Sequence, residues 1–195
     1  MANKIKYGLS NVFYAIATIA TNGTATYATP VAIPGAVNLS LPPQGDLVKF
    51  HADDIEYWVG NGNNGYQGDL EIALVPESFR KDVLKEIEDA KGVLIEDANA
   101  EIVHFALLFQ FKGDVKATKH VMYNCVCGRP DVAGGTKGES IEPGTESLPI
   151  TASSIYNASL DKDIVKGSTK SNTDSTTYNS WNSAVYVPTA PSTST

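Results

Sequence analysis

The chain is poor in sulfur. Its 195 residues include two cysteines and two methionines, too few for a disulfide framework to organise the fold. Cys125 and Cys127 stand two apart, a spacing at which a disulfide is strained, and two thiolates alone do not complete a zinc shell. Both are expected to be reduced core thiols. Histidine is scarce as well: His51, His104 and His120 are all there are, and none adds a ligand at a recognised spacing. Positive charge is short, 15 Lys and Arg against 22 Asp and Glu for a net charge of −7. That balance argues against a protein that grips nucleic-acid phosphates through bulk charge. No apolar run approaches the ~18 residues of a membrane span. The segment Met1-Ala2-Asn3-Lys4-Ile5-Lys6 lacks the apolar run of a secretory signal.

Catalytic signatures are missing too. There is no glycine loop followed by Lys and Ser or Thr, and Asn61-Gly62-Asn63-Asn64-Gly65 opens a strand instead of the helix a phosphate cradle needs. Gly-x-Ser-x-Gly is absent. A nucleophilic cysteine paired with His104 or His120 would need an open, electropositive setting, whereas Cys125 and Cys127 read as buried. Asp53 and Asp54, with Glu56, form the tightest carboxylate group, but adjacent residues on a strand face opposite ways, and for a hard cation held on a loop the calcium-loop spacing is lacking. No enzyme, cofactor or metal is therefore expected.

What the chain does have is apolar residues, 42% of the total, enough for one domain with a real core. Acid is concentrated: residues 46–101 carry 14 Asp and Glu against 5 Lys and Arg, which reads as a solvated surface kept soluble by like charge or as a negative patch.

Most of the sequence reads as strands. Val103, Phe105, Leu107, Phe109 and Phe111 alternate with His104, Ala106, Leu108, Gln110 and Lys112, the period of a half-buried strand. Val115 to Cys127 continue the alternation on a return strand. Face parity favours a three-residue loop, Lys112-Gly113-Asp114, pairing Phe111 with Val115. That register makes His104 and His120 diagonal neighbours on the outer face. Further strands are expected around Val12–Thr18, Leu70–Leu74, Glu146–Ile150 and Asp163–Ser168. One helix is signalled over about 76–90: Pro76 suits its first position, Phe79, Val83, Leu84 and Ile87 share a face, and Gly92 suits its stop. A second, weaker helix is expected over Asp174 to Ala184. Residues 153–195 are rich in Ser and Thr, yet Ile155, Tyr156, Tyr178, Trp181 and Val187 predict that 153–187 folds onto the rest. Pro188 to Thr195 reads as a flexible tail.

The oddest stretch runs from Val37 to Gln67. It mixes Leu39, Leu41, Phe50, Tyr57, Trp58 and Tyr66 with acids and glycines. Two readings stay open. One is an ordinary core hairpin with Trp58 inside; the other is a surface that becomes buried against another chain.

Several blocks carry a resemblance. Tyr7-Gly8-Leu9-Ser10-Asn11-Val12-Phe13-Tyr14-Ala15, Pro34-Gly35-Ala36-Val37, Ala52-Asp53-Asp54, Asn64-Gly65-Tyr66-Gln67-Gly68-Asp69-Leu70-Glu71, His104-Phe105-Ala106-Leu107-Leu108-Phe109-Gln110-Phe111 and Val185-Tyr186-Val187-Pro188 occur in this order. The sequence resembles the major tail proteins of long-tailed, non-contractile bacteriophages, the phi13-type family, over most of its length.

The resemblance implies a mainly β, sandwich or barrel-like tail-tube domain over residues 1–187, with a flanking helix and a long assembly loop. It implies a structural virion protein that forms hexameric rings stacked into the tail tube, the conduit for the genome. The implied partners are further copies of the chain, the tape measure protein, the tail terminator and the distal tail or baseplate proteins. DNA passes through without specific binding, and no membrane is involved. The implied place is the virion tail, assembled in the host cytoplasm. Other readings are a tube protein of a related injection or secretion system, and a β-fold carbohydrate- or receptor-binding module.

Within this frame the loop 38–66 and the N-terminal arm are expected to join subunits, with Phe50, Asp53, Tyr57, Trp58 and Tyr66 as interface residues. Deleting 44–62 is expected to leave folded subunits that do not polymerise. The acidic balance predicts a lumen that repels phosphate.

Overall fold

A computed structural model describes residues 3–136 and 143–190. Met1-Ala2 and the last five residues of the expected flexible tail lie outside them. The described chain is mainly β. Its first strand, β1 (Lys6–Ile19), is long, and positive φ at Gly8 and Asn11 marks two places where its pairing register shifts. Such bulges bend and twist a strand, and here they let β1 pair along both edges. Two short strands follow, β2 (Ala25–Tyr27) and β3 (Val31–Ile33), and both pair with β1. Pro34-Gly35 then bends the chain, with Gly35 at φ 80°, into β4 (Ala36–Ser40). Next come β5 (Leu47–Ala52), β6 (Ile55–Asn61) and β7 (Tyr66–Ile72).

Helix α1 (Glu77–Asp82) begins after Pro76, as the proline signal predicts, but it does not reach residue 90. Lys85 takes φ 59°, and the Glu86 amide turns back onto the Arg80 carbonyl at 3.0 Å. The Arg80 guanidinium bonds both Glu86 and Glu146 at 3.2 Å, pinning the reversal. Ile87 therefore leaves the helical stripe. It joins a small exposed ladder, β8 (Ile87–Glu88) with β9 (Leu94–Ile95), and Gly92 at φ 80° serves that turn.

β10 (Phe105–Gly113) and β11 (Thr118–Cys127) form the central hairpin. The predicted alternation on β10 holds, but the predicted register does not. Phe111 pairs with Thr118 and Phe109 with His120, because Gly113 belongs to the strand and residues 114–117 form the loop. The side chain of Asn3 sets that loop, accepting from the Val115 and Lys116 amides at 3.1 and 2.9 Å. The three-residue slip turns His120 inward, stacked on Phe109 at 5.1 Å. His104 instead bonds Asn124 at 2.7 Å, so the two histidines are not neighbours. A second shift beside Phe105 returns Cys125 to the interior, where it is fully buried, with Cys127 half-buried.

Strands β12 (Glu146–Ser153), β13 (Ile155–Asn157), β14 (Lys162–Ile164) and β15 (Lys166–Ser168) follow, and then α2 (Ser175–Ser180). Asp174 caps α2 by accepting the Thr177 amide at 2.9 Å.

The large sheet runs β2-β1-β10-β11-β12-β7-β4, with β3 on β1 and β15 on β11. Residues 31–40 pair through β3 with β1 and through β4 with β7. The path β1-β10-β11-β12-β7 therefore ends on the same segment that pairs with its beginning.

Two cores lie on opposite sides of these strands. The inner one joins Tyr14, Leu70, Ile72, Phe105, Leu107, Leu148 and Ile150 with Phe79 and Val83 of α1. Phe79 stands edge-on to Tyr14 and Phe105 at 5.1 and 5.8 Å, and Tyr14 donates to Asp82 at 2.8 Å. The outer one joins Ala15, Ala106, Leu108, Val121 and Tyr123 with Ile155 and Trp181. β10 is thus buried on both faces, not half-buried as its alternation suggests, because residues 155–187 cover the outer side. Tyr186 stacks on Trp181 at 5.4 Å to finish that cover.

Gly65 carries the chain into β7 at φ 85°, and a Cβ there would lie 2.0 Å from the Ala152 carbonyl oxygen. Gly65→Ala is expected to cost about 2 kcal/mol or more, read as a lower urea midpoint with an unchanged slope.

Candidate functional site

Four of the five residues expected at an assembly surface lie on one projecting hairpin. Among the described residues β5 and β6 pair only with each other, and the turn between them is two residues, Asp53 at φ 53° and Asp54 at φ 59°. Two successive positive φ values match the right-handed twist of the strands, and aspartate tolerates that region better than most side chains. The predicted opposition of the two carboxylates on a strand gives way to adjacent acids at an exposed tip.

Tyr57 is the extra residue of a bulge, since Phe50 pairs with Trp58 but His51 with Glu56. The bulge sorts the side chains. Val48, Phe50, Ala52, Ile55 and Trp58 fall on one face. Lys49 and Glu56 form an ion pair at 2.5 Å on the other. The indole of Trp58 folds over Gly60, where any side chain would collide with it.

This apolar face is uncovered. Val48, Phe50, Ile55 and Trp58 are each 56–60% exposed, so the reading with Trp58 inside a core fails. An isolated two-stranded hairpin is marginal in water, and among the described residues this one is braced at its neck. There the Gln44 amide bonds the Gly65 carbonyl at 2.8 Å, the Asn64 amide bonds the Gln44 carbonyl at 3.0 Å, and Pro43 bridges Tyr66.

Tyr66 is not on the hairpin. It is the half-buried first residue of β7, at the end of the strand ring from which the hairpin leaves. With Leu39, Leu41, Phe111, Met122 and His120 it lines a cavity of about 220 Å³. Lys6 and Lys166 stand at the cavity's edge, over the rings of Phe111 at 4.8 Å and Tyr66 at 4.6 Å. The expected N-terminal contact surface is tied down nearby: the Lys4 amide donates to Asp114 at 2.8 Å.

Sequence reasoning missed Val48 and Ile55, which the hairpin's pairing and the Tyr57 bulge bring to the face of Phe50 and Trp58. It also missed the two lysines, which β1 and β15 bring together from 160 positions apart in the chain.

Burial lowers the pKa of His120 to about 4, with Lys6 and Lys166 adding repulsion. The unfolded chain binds this proton near pH 6.5 and the folded protein only near 4. Between those values the unfolded state holds more protons, so stability falls as pH drops from about 6.5 to 4. The loss is about 2 kcal/mol after allowing for screening at a partly open site. Urea unfolding of wild type and His120→Phe at pH 7 and 4.5 is expected to show a shallower acid loss in the variant.

The thiols of Cys125 and Cys127 are both pushed up to about 12 by burial, which suppresses the reactive thiolate. Among the described residues no three His, Cys, Asp or Glu converge on a metal-sized site, and no helix is long and apolar enough to cross a membrane.

No protein-family model, curated protein or solved structure matches this chain.

Proposed function

We propose that this chain is a structural virion protein, the subunit of a phage tail tube, which polymerises into stacked hexameric rings around a channel for the genome. The observation that carries the reading is the hairpin β5–β6: an apolar face held in water on a hydrogen-bonded neck. Such a face is costly in a solitary protein and productive when another copy covers it. A closed path of strands suits the reading too. It gives a barrel-like body with few free edges, so association is directed to designated surfaces. A head-to-tail contact that closes makes a ring, and rings stack along their axis into a tube.

The outward face of β4, β7 and β12 is the side we assign to the lumen. It presents Asn38, Ser40, Gln67, Asp69, Glu71, Ser147 and Thr151, with Thr145 donating to Glu71 at 2.6 Å. These side chains are neutral or acidic, a surface that phosphate slides past without holding.

Sedimentation velocity across a concentration series tests the reading. Species far larger than the 20.8 kDa chain are expected to grow with concentration; a monomer throughout would overturn it. Trp58→Ala, removing a central aromatic anchor, is expected to raise the concentration needed for assembly about 30-fold, the equivalent of about 2 kcal/mol.

A further inference from the structure

The projecting tip and the cavity at the hairpin's base are complementary in charge and in polarity. Asp53 and Asp54 place two adjacent exposed carboxylates on the tip, with Phe50, Ile55 and Trp58 behind them. The cavity has an apolar floor, with Leu39, Leu41, Phe111 and Met122 in it, and exposed Lys6 and Lys166 on its rim. Among the described residues no ion pair includes Lys6, Lys166, Asp53 or Asp54. Each lysine is instead held over an aromatic ring, pointed and available.

The turn at Asp53 stands roughly 25 Å of extended strand from the neck at Gly45. Acidic tip and basic rim are of opposite sign, which fits a second copy of the chain as the partner.

We propose that the open end of the strand ring receives the hairpin tip of a neighbouring copy, with Asp53 and Asp54 meeting Lys6 and Lys166 while Phe50 and Trp58 close over the apolar floor. This rests on the self-assembly reading above and gives it a specific joint. The cavity adjoins the hairpin's neck, where Pro43 bridges Tyr66 of the cavity wall. Tip-to-mouth contact is heterologous, and repeated about one axis it closes a ring. The joint also buries aromatics that are more than half exposed among the described residues.

Two charge-reversed variants test it. One is Lys6→Glu with Lys166→Glu, the other Asp53→Lys with Asp54→Lys. Each alone is expected to need at least about tenfold more protein to assemble than wild type, the equivalent of about 1.4 kcal/mol. An equimolar mixture is expected to recover, because each variant's tip then meets a mouth of opposite sign. Asp53→Asn with Asp54→Asn removes the charge while keeping residues at ease with positive φ, and is expected to weaken assembly severalfold. Wild-type assembly by every variant alone, or a mixture that recovers nothing, overturns the joint while leaving the tube reading intact. Failure of the wild-type protein to assemble at any concentration overturns both.

Discussion

Excising residues 46–62, so that Gly45 joins Asn63, is expected to give a protein that folds as well as wild type and does not polymerise. The cut is placed by the backbone. Gly45 and Gly62 approach so closely that a Cβ on Gly45 would lie 1.9 Å from the Gly62 carbonyl oxygen, so the shortened chain closes with little rearrangement. Among the described residues the excised strands pair only with each other, and Val48, Phe50, Ile55, Tyr57, Trp58 and Val59 belong to neither core. Folding therefore loses almost nothing, and the neck bonds of Gln44 to Gly65 and Asn64 stay in place. Circular dichroism and thermal melting are expected to match wild type, while sedimentation shows a monomer at concentrations where wild type assembles. Normal assembly of the excised protein would contradict the role given to the hairpin. A collapse in melting temperature would show that the hairpin belongs to the fold.

The largest loss of stability is expected from Phe79→Ala. Phe79 is fully buried and is the point where α1 enters the inner core, touching Tyr14 from one side and Phe105 from another. Truncation removes the transfer energy of the ring and leaves a cavity between strands that are held by their ladders and cannot collapse inward. The expected cost is about 3–5 kcal/mol, a large part of the about 5–15 kcal/mol that holds a domain together. Phe79→Leu fills most of the space and is expected to lose well under half as much. Urea unfolding of the three proteins checks the order. Because the change is remote from the hairpin, the part of Phe79→Ala that remains folded is expected to assemble at the wild-type concentration.

The elements that were legible in the sequence are those whose signal is local. β10 announced itself by strict alternation from Phe105 to Phe111, β7 and β12 by shorter alternations, and α1 by Pro76 and the spacing of Phe79 and Val83. The errors came from long-range contacts. Asn3 holds the 114–117 loop, so the return strand pairs three residues away from the register that face parity favours, and His120 moves from the surface to the interior. Arg80 reaches Glu146 from a distant strand, and the helix ends where periodicity alone would carry it on to Ile87. The second face of β10 is buried by Trp181 and Ile155, residues set in a Ser- and Thr-rich segment whose composition suggests a linker.

The candidate site shows the same division. Phe50, Tyr57 and Trp58 stood out among glycines and acids, but composition does not tell a covered aromatic from an exposed one. Their exposure follows from the two-residue turn at Asp53-Asp54 and the neck at Gln44 and Gly65, which together aim the ribbon away from both cores. The lysines of the neighbouring cavity carried no signal at all. Lys6 and Lys166 become a pair only when β1 is placed against β10 and β15 against β11, the two strands of the central hairpin.

Electron microscopy of the purified wild-type protein at high concentration tests the central claim most directly. The account predicts hollow filaments of uniform width and variable length, whose reconstruction places Asp69 and Glu71 on the inner wall and the hairpin between neighbouring copies. Dispersed single particles at every concentration, or tubes with a strongly basic inner wall, would contradict it.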